Sequence, residues 1–322
     1  MRPTLFLFLI AASSVAASAQ TQMALPVWAY PVAPPAPRGA APAPDTSVKH
    51  LPGTTVTFTL DQTHNLFSVP DWFPDAHPPL PSIVSQGDKA AGVAACGYCH
   101  LPNGQGRPEN ESVAGLPAGY IVQQMADFKN GLRKSSEPKM PSVAGMVRIG
   151  KAASDEDVKA AAAYFSSLRL KPWIRVIETQ RVPVTFIKGG MLIVKEGGAT
   201  EPIGQRVIEV SEDLERTELR DPTSGFIAYV PKGSLKRGAD LVMTGASGTT
   251  LKCTICHGAE LKGLGNVPSI SGRSPSQMAR QIIDIKNGVR NGPGAQLMKE
   301  AVSKLTAEDI VAITGYLASR NP

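Results

Sequence analysis

Cysteine is scarce in this chain and confined to two short stretches. Only four of the 322 residues are cysteines, and they lie in the pentapeptides CGYCH (residues 96–100) and CTICH (residues 253–257). Two disulfides would need no histidine after the second cysteine of each pair. A shared zinc site would place its two cysteine pairs about fifteen to twenty residues apart, whereas these pairs are more than 150 residues apart. The cysteines therefore favour neither a disulfide scaffold nor a zinc site.

Long apolar runs are also missing. The longest one extends from Leu5 to Ala17, which is shorter than the roughly twenty residues that a membrane-spanning helix needs. It follows Arg2 and ends in Ala17-Ser18-Ala19, a small-x-small pattern that signal peptidases cleave. Residues 1–19 are therefore predicted to be a cleavable signal peptide, and the mature chain is expected in the periplasm, with no membrane span.

Acidic residues are fewer than basic ones, and the imbalance is greatest near the C-terminus. The formal net charge is +6, and residues 232–322 contain twelve Lys and Arg against six Asp and Glu. A basic C-terminal domain would attract an acidic redox partner, although a solvated lysine-rich surface explains the same count. No motif indicates binding to nucleic acid.

Each cysteine pentapeptide has the pattern of c-type haem attachment. Two thiols three positions apart add to the two vinyl groups of one haem, and the following histidine binds the iron. The chain is therefore predicted to hold two covalently attached haem c groups. The predicted cofactor-binding residues are Cys96, Cys99, His100, Cys253, Cys256 and His257.

The two pentapeptides belong to a longer internal repeat. An offset of 157 residues relates Cys96 to Cys253, Gln124 to Gln281, Asp127 to Asp284 and Arg133 to Arg290. After a deletion of five residues in the second copy, an offset of 152 relates Ser154 to Thr306, Asp157 to Asp309 and Tyr164 to Tyr316. These identities predict two tandem copies of one domain, over residues 81–171 and 232–322.

Each copy is predicted to be helical. Apolar spacing and helix end signals predict three helices: a short first helix, a middle helix that ends in Asn-Gly, and a last helix capped by Ser or Thr. In the first copy they are expected near residues 82–89, over residues 120–133 and from Ser154 onward. In the second copy they are expected near residues 234–242, over residues 277–290 and from Thr306 onward.

The remaining segments differ in composition from the two helical copies. Residues 20–50 are rich in Pro and Ala and predict a disordered tether, and residues 51–80 form an N-terminal extension with one strand near residues 54–60. Residues 172–231 contain four short β-type runs between Gly and Pro signals: 182–187, 191–194, 207–210 and 226–230. The predicted fold class is mainly α, with two tandem helical domains and a small β-rich insert between them.

A methionine as the second axial ligand would raise the potential of a histidine-ligated haem and close the iron to substrates, whereas an open or weakly held position would allow small-molecule chemistry. The first copy offers Met125, Met140 and Met146, and the second offers Met278 and Met298. Met146 lies eight residues before Ser154, and Met298 lies eight residues before Thr306. This shared position favours Met146 and Met298 as metal ligands together with His100 and His257.

These features resemble the dihaem class I c-type cytochromes of the cytochrome c4 and c553 kind. The resemblance covers the two pentapeptides, the Gln-Asp-Lys-Asn-Gly-Arg segments, Met146, Met298 and the closing helices. It implies a three-helix wrap around each haem and electron carriage without catalytic residues. In that family a proline carbonyl commonly accepts the proton of the ligating histidine. Pro268 has this position in the second copy, whereas the offset places Glu111 there in the first.

The function expected from these features is a periplasmic carrier of single electrons between a dehydrogenase or quinol-oxidising complex and a terminal acceptor. Two alternatives remain open. One is a dihaem enzyme of the cytochrome c peroxidase type, with one of His50, His64 or His77 near a haem. The other is a haem subunit held in a dehydrogenase complex. Partners are expected to be redox proteins: a dehydrogenase, an oxidase or a reductase.

Overall fold

The computed structural model describes residues 25–34 and 45–322. The predicted signal peptide lies outside these residues. Within the part of the chain that is described, no helix has the length and apolar character needed to cross a bilayer.

The N-terminal extension contains a short hairpin followed by a helical turn. Strands β1 (Val48–His50) and β2 (Thr57–Thr59) pair antiparallel, and helix α1 (Leu60–Thr63) follows directly. Thr59 caps α1 by accepting from the Gln62 backbone N–H. A 3-10 turn at Pro74–Ala76 then leads into the first helical domain.

The first helical domain contains five helices. They are α2 (Ser82–Ser85), α3 (Cys96–His100), α4 (Ala118–Lys129), α5 (Pro141–Ala152) and α6 (Asp155–Ser167). The predicted cap of the last helix is confirmed, because the Ser154 hydroxyl accepts from the Asp157 backbone N–H. Three acidic residues occupy the first turn of α6, where they complement the helix dipole.

A segment of seven strands follows the first domain. The strands are β3 (Ile174–Thr179), β4 (Arg181–Pro183), β5 (Thr185–Lys188), β6 (Met191–Val194), β7 (Thr200–Pro202), β8 (Ile208–Ser211) and β9 (Phe226–Pro231), with helix α7 (Leu214–Glu218) before β9. Strands β3 and β7 were not among the predicted runs. The largest sheet has the order β3-β9-β8, in which β3 is parallel and β8 antiparallel to β9.

The second helical domain repeats the arrangement of the first. Its helices are α8 (Ser234–Thr244), α9 (Thr254–His257), α10 (Pro275–Lys286), α11 (Pro293–Ser303) and α12 (Ala307–Ala318). Thr306 and Asp309 form a reciprocal capping box at the start of α12, which confirms the predicted cap. In both domains the middle helix ends at an Asn-Gly pair whose glycine has a positive φ.

Helices α5 and α11 were not predicted. Each begins with a proline at its first position, where the missing N–H costs nothing. Both segments do have apolar residues at helical spacing, so the sequence contained a helix signal that the prediction did not use. Both helices matter for the site, because they contain Met146 and Met298.

The largest apolar core joins the β-rich segment to the second domain. Strand residues such as Val210 and Val230 share this core with Ile310 and Leu317 of α12. Helix α12 packs against β3 and β9, and α10 packs against β8. The sheet is therefore largely built into the second domain, and a smaller apolar cluster of Trp173, Met191, Ile193 and Phe226 joins the β-rich segment to Ala114 of the first domain.

Residues 25–34 are ordered against the second domain. Trp28 and Tyr30 are 7% and 4% exposed, and both belong to its core. The Tyr30 hydroxyl donates to Asp284 Oδ1 at 2.8 Å. The prediction of a disordered tether is therefore wrong for residues 25–34, and also for β1. The Pro/Ala composition hides one short apolar sequence, Trp28-Ala29-Tyr30, and burial of its two aromatic rings outweighs the entropy of ordering it.

Candidate metal centres

Each pentapeptide forms about one helical turn, which places its two cysteines on the same side. Cys96 and Cys99 lie on α3, and Cys256 and His257 lie on α9 with Cys253 at its start. The first turn packs closely on α2: a Cβ at Gly97 would lie 2.9 Å from the carbonyl oxygen of Val84. Only glycine fits there, so this position of the motif is fixed by packing.

Both pentapeptide histidines are oriented by a backbone carbonyl. His100 Nδ1 donates to the Glu111 carbonyl at 2.7 Å, and His257 Nδ1 donates to the Pro268 carbonyl at 2.8 Å. Each Nδ1 therefore holds the ring proton, and Nε2 keeps its lone pair for iron. Glu111 thus provides through its backbone the same contact that Pro268 provides in the second domain.

Burial favours the neutral form of both imidazoles. It lowers the pKa of His100 and of His257, while the hydrogen bonds to the two carbonyls act in the opposite direction. A neutral imidazole is the form that binds a metal.

The first domain contains a cavity around its pentapeptide that is partly open to solvent. Cys96, Cys99 and His100 line it, and so do Met125 and Met146. Met140 is fully buried and does not line the cavity. The fold therefore brings Met125 and Met146, but not Met140, to the wall that contains the histidine.

This cavity suits a haem. Its apolar walls include Val93, Leu116, Phe128, Ile149 and Phe165, which match the flat face of a porphyrin. The guanidinium groups of Arg133 and Arg280 also line it and suit the propionates. Two thiols, an imidazole and a thioether in one apolar cavity form a donor set for covalent haem c.

The second domain has a methionine at the equivalent helical position. Met298 is the sixth residue of α11, as Met146 is the sixth residue of α5, and both are partly buried. Met278 lies instead in the core of the second domain, on α10. The repeat in the sequence therefore has a counterpart in the positions of the two methionines.

The two centres differ in the side chain beside the histidine contact. Arg133 Nη2 donates to Glu111 Oε2 at 2.6 Å, and both side chains are largely buried. Burial alone would raise the pKa of Glu111, but Arg133 and Arg290 hold it at about 2. The second domain has Pro268 at this position and hence no carboxylate.

The second domain supplies part of the wall of the first cavity. Gln277, Arg280 and Gln281 of α10 all line it. Arg280 is held by the carbonyls of Ala29 and Pro108. Gln277 and Arg280 were not among the predicted site residues. Neither is identical to its counterpart in the first copy, and each lies more than 150 residues from the pentapeptide of the first domain.

The three histidines upstream of the first pentapeptide do not line the first cavity. His50 lies on β1, and His64 bonds to the Leu60 carbonyl. His77 contacts Asp71 and lies edge-on to Tyr164.

Comparison with known proteins agrees with the two centres. The cytochrome c family matches residues 84–169, and the family of cytochrome C oxidase, cbb3-type, subunit III matches residues 240–317. Each match contains one complete Cys-x-x-Cys-His motif. Cytochrome c4 of Azotobacter vinelandii is 28% identical over 244 residues, which cover 72% of this chain and 88% of the relative. This chain is a dihaem c-type cytochrome. Its two domains each bind one haem c covalently.

Two further similarities concern thiosulfate oxidation. The cytochrome is 22% identical over 240 residues to a thiosulfate dehydrogenase electron acceptor of Stutzerimonas stutzeri, covering 74% of this chain and 84% of that protein. The solved thiosulfate dehydrogenase of Marichromatium purpuratum matches with 21% identity and a TM-score of 0.50. That match covers 74% of the cytochrome and only 39% of the other chain, and it shows a shared fold.

Proposed function

We propose that the cytochrome carries single electrons in the periplasm between a dehydrogenase or quinol-oxidising complex and a terminal acceptor. The main support is that both domains combine a histidine fixed by a backbone carbonyl with a methionine at the sixth position of the helix before the last, α5 or α11. The similarity to cytochrome c4 agrees with this role.

His100 and Met146 would hold one iron, and His257 and Met298 the other. Haem c supplies a one-electron iron couple when it is bound. The protein holds the imidazoles in one orientation through Glu111 and Pro268, and mostly apolar surface lines the first centre. Six protein and porphyrin ligands would leave no position for a substrate, which favours transfer of charge over turnover.

A peroxidase of the kind considered in the sequence analysis would need an open iron position with a second histidine near it. His100 is the only histidine that lines the first cavity among the residues that the structure describes. This observation favours a carrier, and we propose that the chain is not an enzyme.

A second candidate function is electron acceptance from a thiosulfate-oxidising dehydrogenase, either as a free partner or as a bound haem subunit. The similarity to thiosulfate dehydrogenase electron acceptors of two bacteria supports it. Mixing the cytochrome with purified thiosulfate dehydrogenase and thiosulfate would test this partner, and reduction of both haems is the expected result.

Ligand replacement tests the leading proposal. The ferric protein should show the weak far-red absorbance of two methionine–iron bonds. Met146→Ala and Met298→Ala should each remove about half of it and lower the potential of one haem. Met125→Leu and Met278→Leu are matched controls and should retain the full absorbance. Loss of the band in either control, or retention of it in both alanine variants, would rule out the proposed ligands.

A further inference from the structure

The two pentapeptides differ in how the rest of the chain covers them. Arg220 stacks on the Tyr98 ring at 3.5 Å, and its guanidinium donates to the backbone carbonyls of Tyr98 and Thr63. On the other side, the Ala95 N–H donates to the Leu66 carbonyl of the N-terminal extension. The first pentapeptide is therefore enclosed by two segments that lie outside its own domain.

The loop after the first pentapeptide is covered in the same way. Asn103, Gln105 and Arg107 donate to the carbonyls of Pro222, Ser224 and Thr217, respectively. All three acceptors lie between β8 and β9, in or just after α7. This contact fixes the β-rich segment on the haem-binding loop of the first domain.

The equivalent surface of the second domain is open. The repeat offset relates Asn103, Gln105 and Arg107 to Glu260, Lys262 and Leu264, which are all exposed. Leu264 is 65% exposed, and Ile255, which corresponds to Tyr98, is 66% exposed. Within residues 25–34 and 45–322, neither Glu260 nor Lys262 has an ion-pair partner other than each other, at 3.9 Å.

This open surface extends onto the helix that contains Met298. The Thr250 hydroxyl donates to the Ala301 carbonyl of α11. Leu251, beside Thr250, is 47% exposed, and Leu297, one turn before Ala301, is 81% exposed. We define the open haem face as Leu251, Lys252, Ile255, Cys256, Glu260, Lys262, Leu264 and Leu297.

Exposed apolar side chains grouped in this way usually mark an interaction site. In the first domain the equivalent surface is covered by a segment of the chain itself, so this surface is one that protein can bind. The positive excess of residues 232–322 adds a preference for an acidic partner. We propose that the open haem face is the docking site for a redox protein with an apolar centre and an acidic rim, and that the covered first domain takes no part in docking.

This inference rests on the proposed carrier function and names the surface that serves it. Electron exchange with the acidic copper protein plastocyanin provides the test, measured by stopped-flow absorbance at several salt concentrations. Lys252→Glu/Lys262→Glu should slow exchange at least about fivefold at low salt and approach the parent at high salt. Leu264→Glu should slow it at least about threefold at every salt concentration.

Matched controls carry the same chemical changes elsewhere. Lys159→Glu/Lys171→Glu alters two exposed lysines of the first domain region, and Leu214→Glu alters an exposed leucine on α7. Both controls should remain within about twofold of the parent, since rim charges act locally at physiological salt. Each variant should bind two haems per chain.

Three results would overturn the docking proposal. They are no exchange between the parent and plastocyanin, equal slowing in the control variants, and a parent dimer in sedimentation that Leu264→Glu converts to monomer. The last result would show that a second copy covers the face. If the methionine–iron absorbance is present in these experiments, only the docking proposal fails; its absence would count against the carrier function itself.

Discussion

Arg133 and Arg290 meet across the boundary between the two haem domains. Arg133 donates to Gln124 of its own domain at 2.9 Å and to Gln281 of the other at 3.0 Å. Arg290 does the reverse, donating to Gln281 and to Gln124, each at 2.9 Å. The pair is nearly symmetric, and Glu111 breaks the symmetry because it binds only Arg133.

Loss of Arg133 should therefore cost more than loss of Arg290. Arg133→Met leaves the buried carboxylate of Glu111 without its main partner, and we expect a loss of about 3 kcal/mol in the free energy of unfolding. Arg290→Met removes the hydrogen bonds to Gln281, Gln124 and Tyr120 and a weaker attraction to Glu111, with no direct ion pair, and should cost about 1 to 2 kcal/mol. Urea unfolding followed by Soret absorbance measures both. Equal losses would show that Glu111 adds nothing to the contact.

Trp28→Ala tests whether residues 25–34 contribute to stability. Trp28 is buried in the core of the second domain, so its removal should cost about 3 to 5 kcal/mol. The neighbouring residue Val27 is 66% exposed, and Val27→Ala should change stability by less than about 0.5 kcal/mol. Thermal unfolding of both variants gives the comparison. A Trp28→Ala variant as stable as the parent would mean that this segment is not held in solution.

Gly238→Ala tests the close contact of α8 with α12. A Cβ at this position would lie 2.6 Å from Tyr316 Cβ and closer still to the Ala312 carbonyl oxygen. Overpacking should destabilise the second domain by about 1 to 3 kcal/mol. A Cβ at Gly294, in helix α11, would meet nothing within 4 Å. Gly294→Ala should therefore be neutral or stabilising by up to about 1 kcal/mol, and the opposite order of stabilities would contradict the helix contact.

Asp309 makes the stability of the second domain sensitive to acid. Burial alone would raise its pKa, but hydrogen bonds from Thr306 and the charge of Arg237 hold it below the ordinary value. A carboxylate with a lowered folded-state pKa contributes stability above its unfolded pKa, and this contribution is lost as the pH falls through the folded value.

The stability difference between the parent and Asp309→Asn should therefore be largest near pH 7 and shrink below about pH 4. Denaturant unfolding at a series of pH values measures it. Glu308→Gln removes the same charge at the adjacent exposed position and provides the control. A difference that stays constant from pH 7 to pH 3 would exclude a contribution from ionised Asp309.

Local signals in the sequence predicted much of the helical structure. Ser154 and Thr306 start helices because the hydroxyl of each accepts a hydrogen bond from the backbone N–H three residues later. This contact is local and can be predicted without knowledge of the tertiary fold. Met146 could be selected as a ligand candidate because it lies eight residues before Ser154, as Met298 lies eight residues before Thr306. The haem pentapeptides were recognisable because their chemistry needs adjacent residues.

Features that depend on distant contacts were not predictable. Nothing in Trp28-Ala29-Tyr30 indicates that α10 provides a surface for it, so the average composition of the segment led to the wrong expectation. The parallel pairing of β3 with β9 joins residues about fifty positions apart, and Arg280 reaches the first cavity from the other domain. These relationships depend on the packed core and are not visible in any short stretch of sequence.

The cover over the first pentapeptide has a consequence for biogenesis. Thr217, Arg220 and Ser224 follow Cys99 by more than one hundred residues, so in the proposed exported chain they would emerge from the translocation channel well after the motif that they enclose. The thiols of Cys96 and Cys99 are most accessible to the attachment machinery during that interval. Delayed attachment would find the motif already closed, and the rate of export should therefore affect the maturation of the first centre more than that of the second.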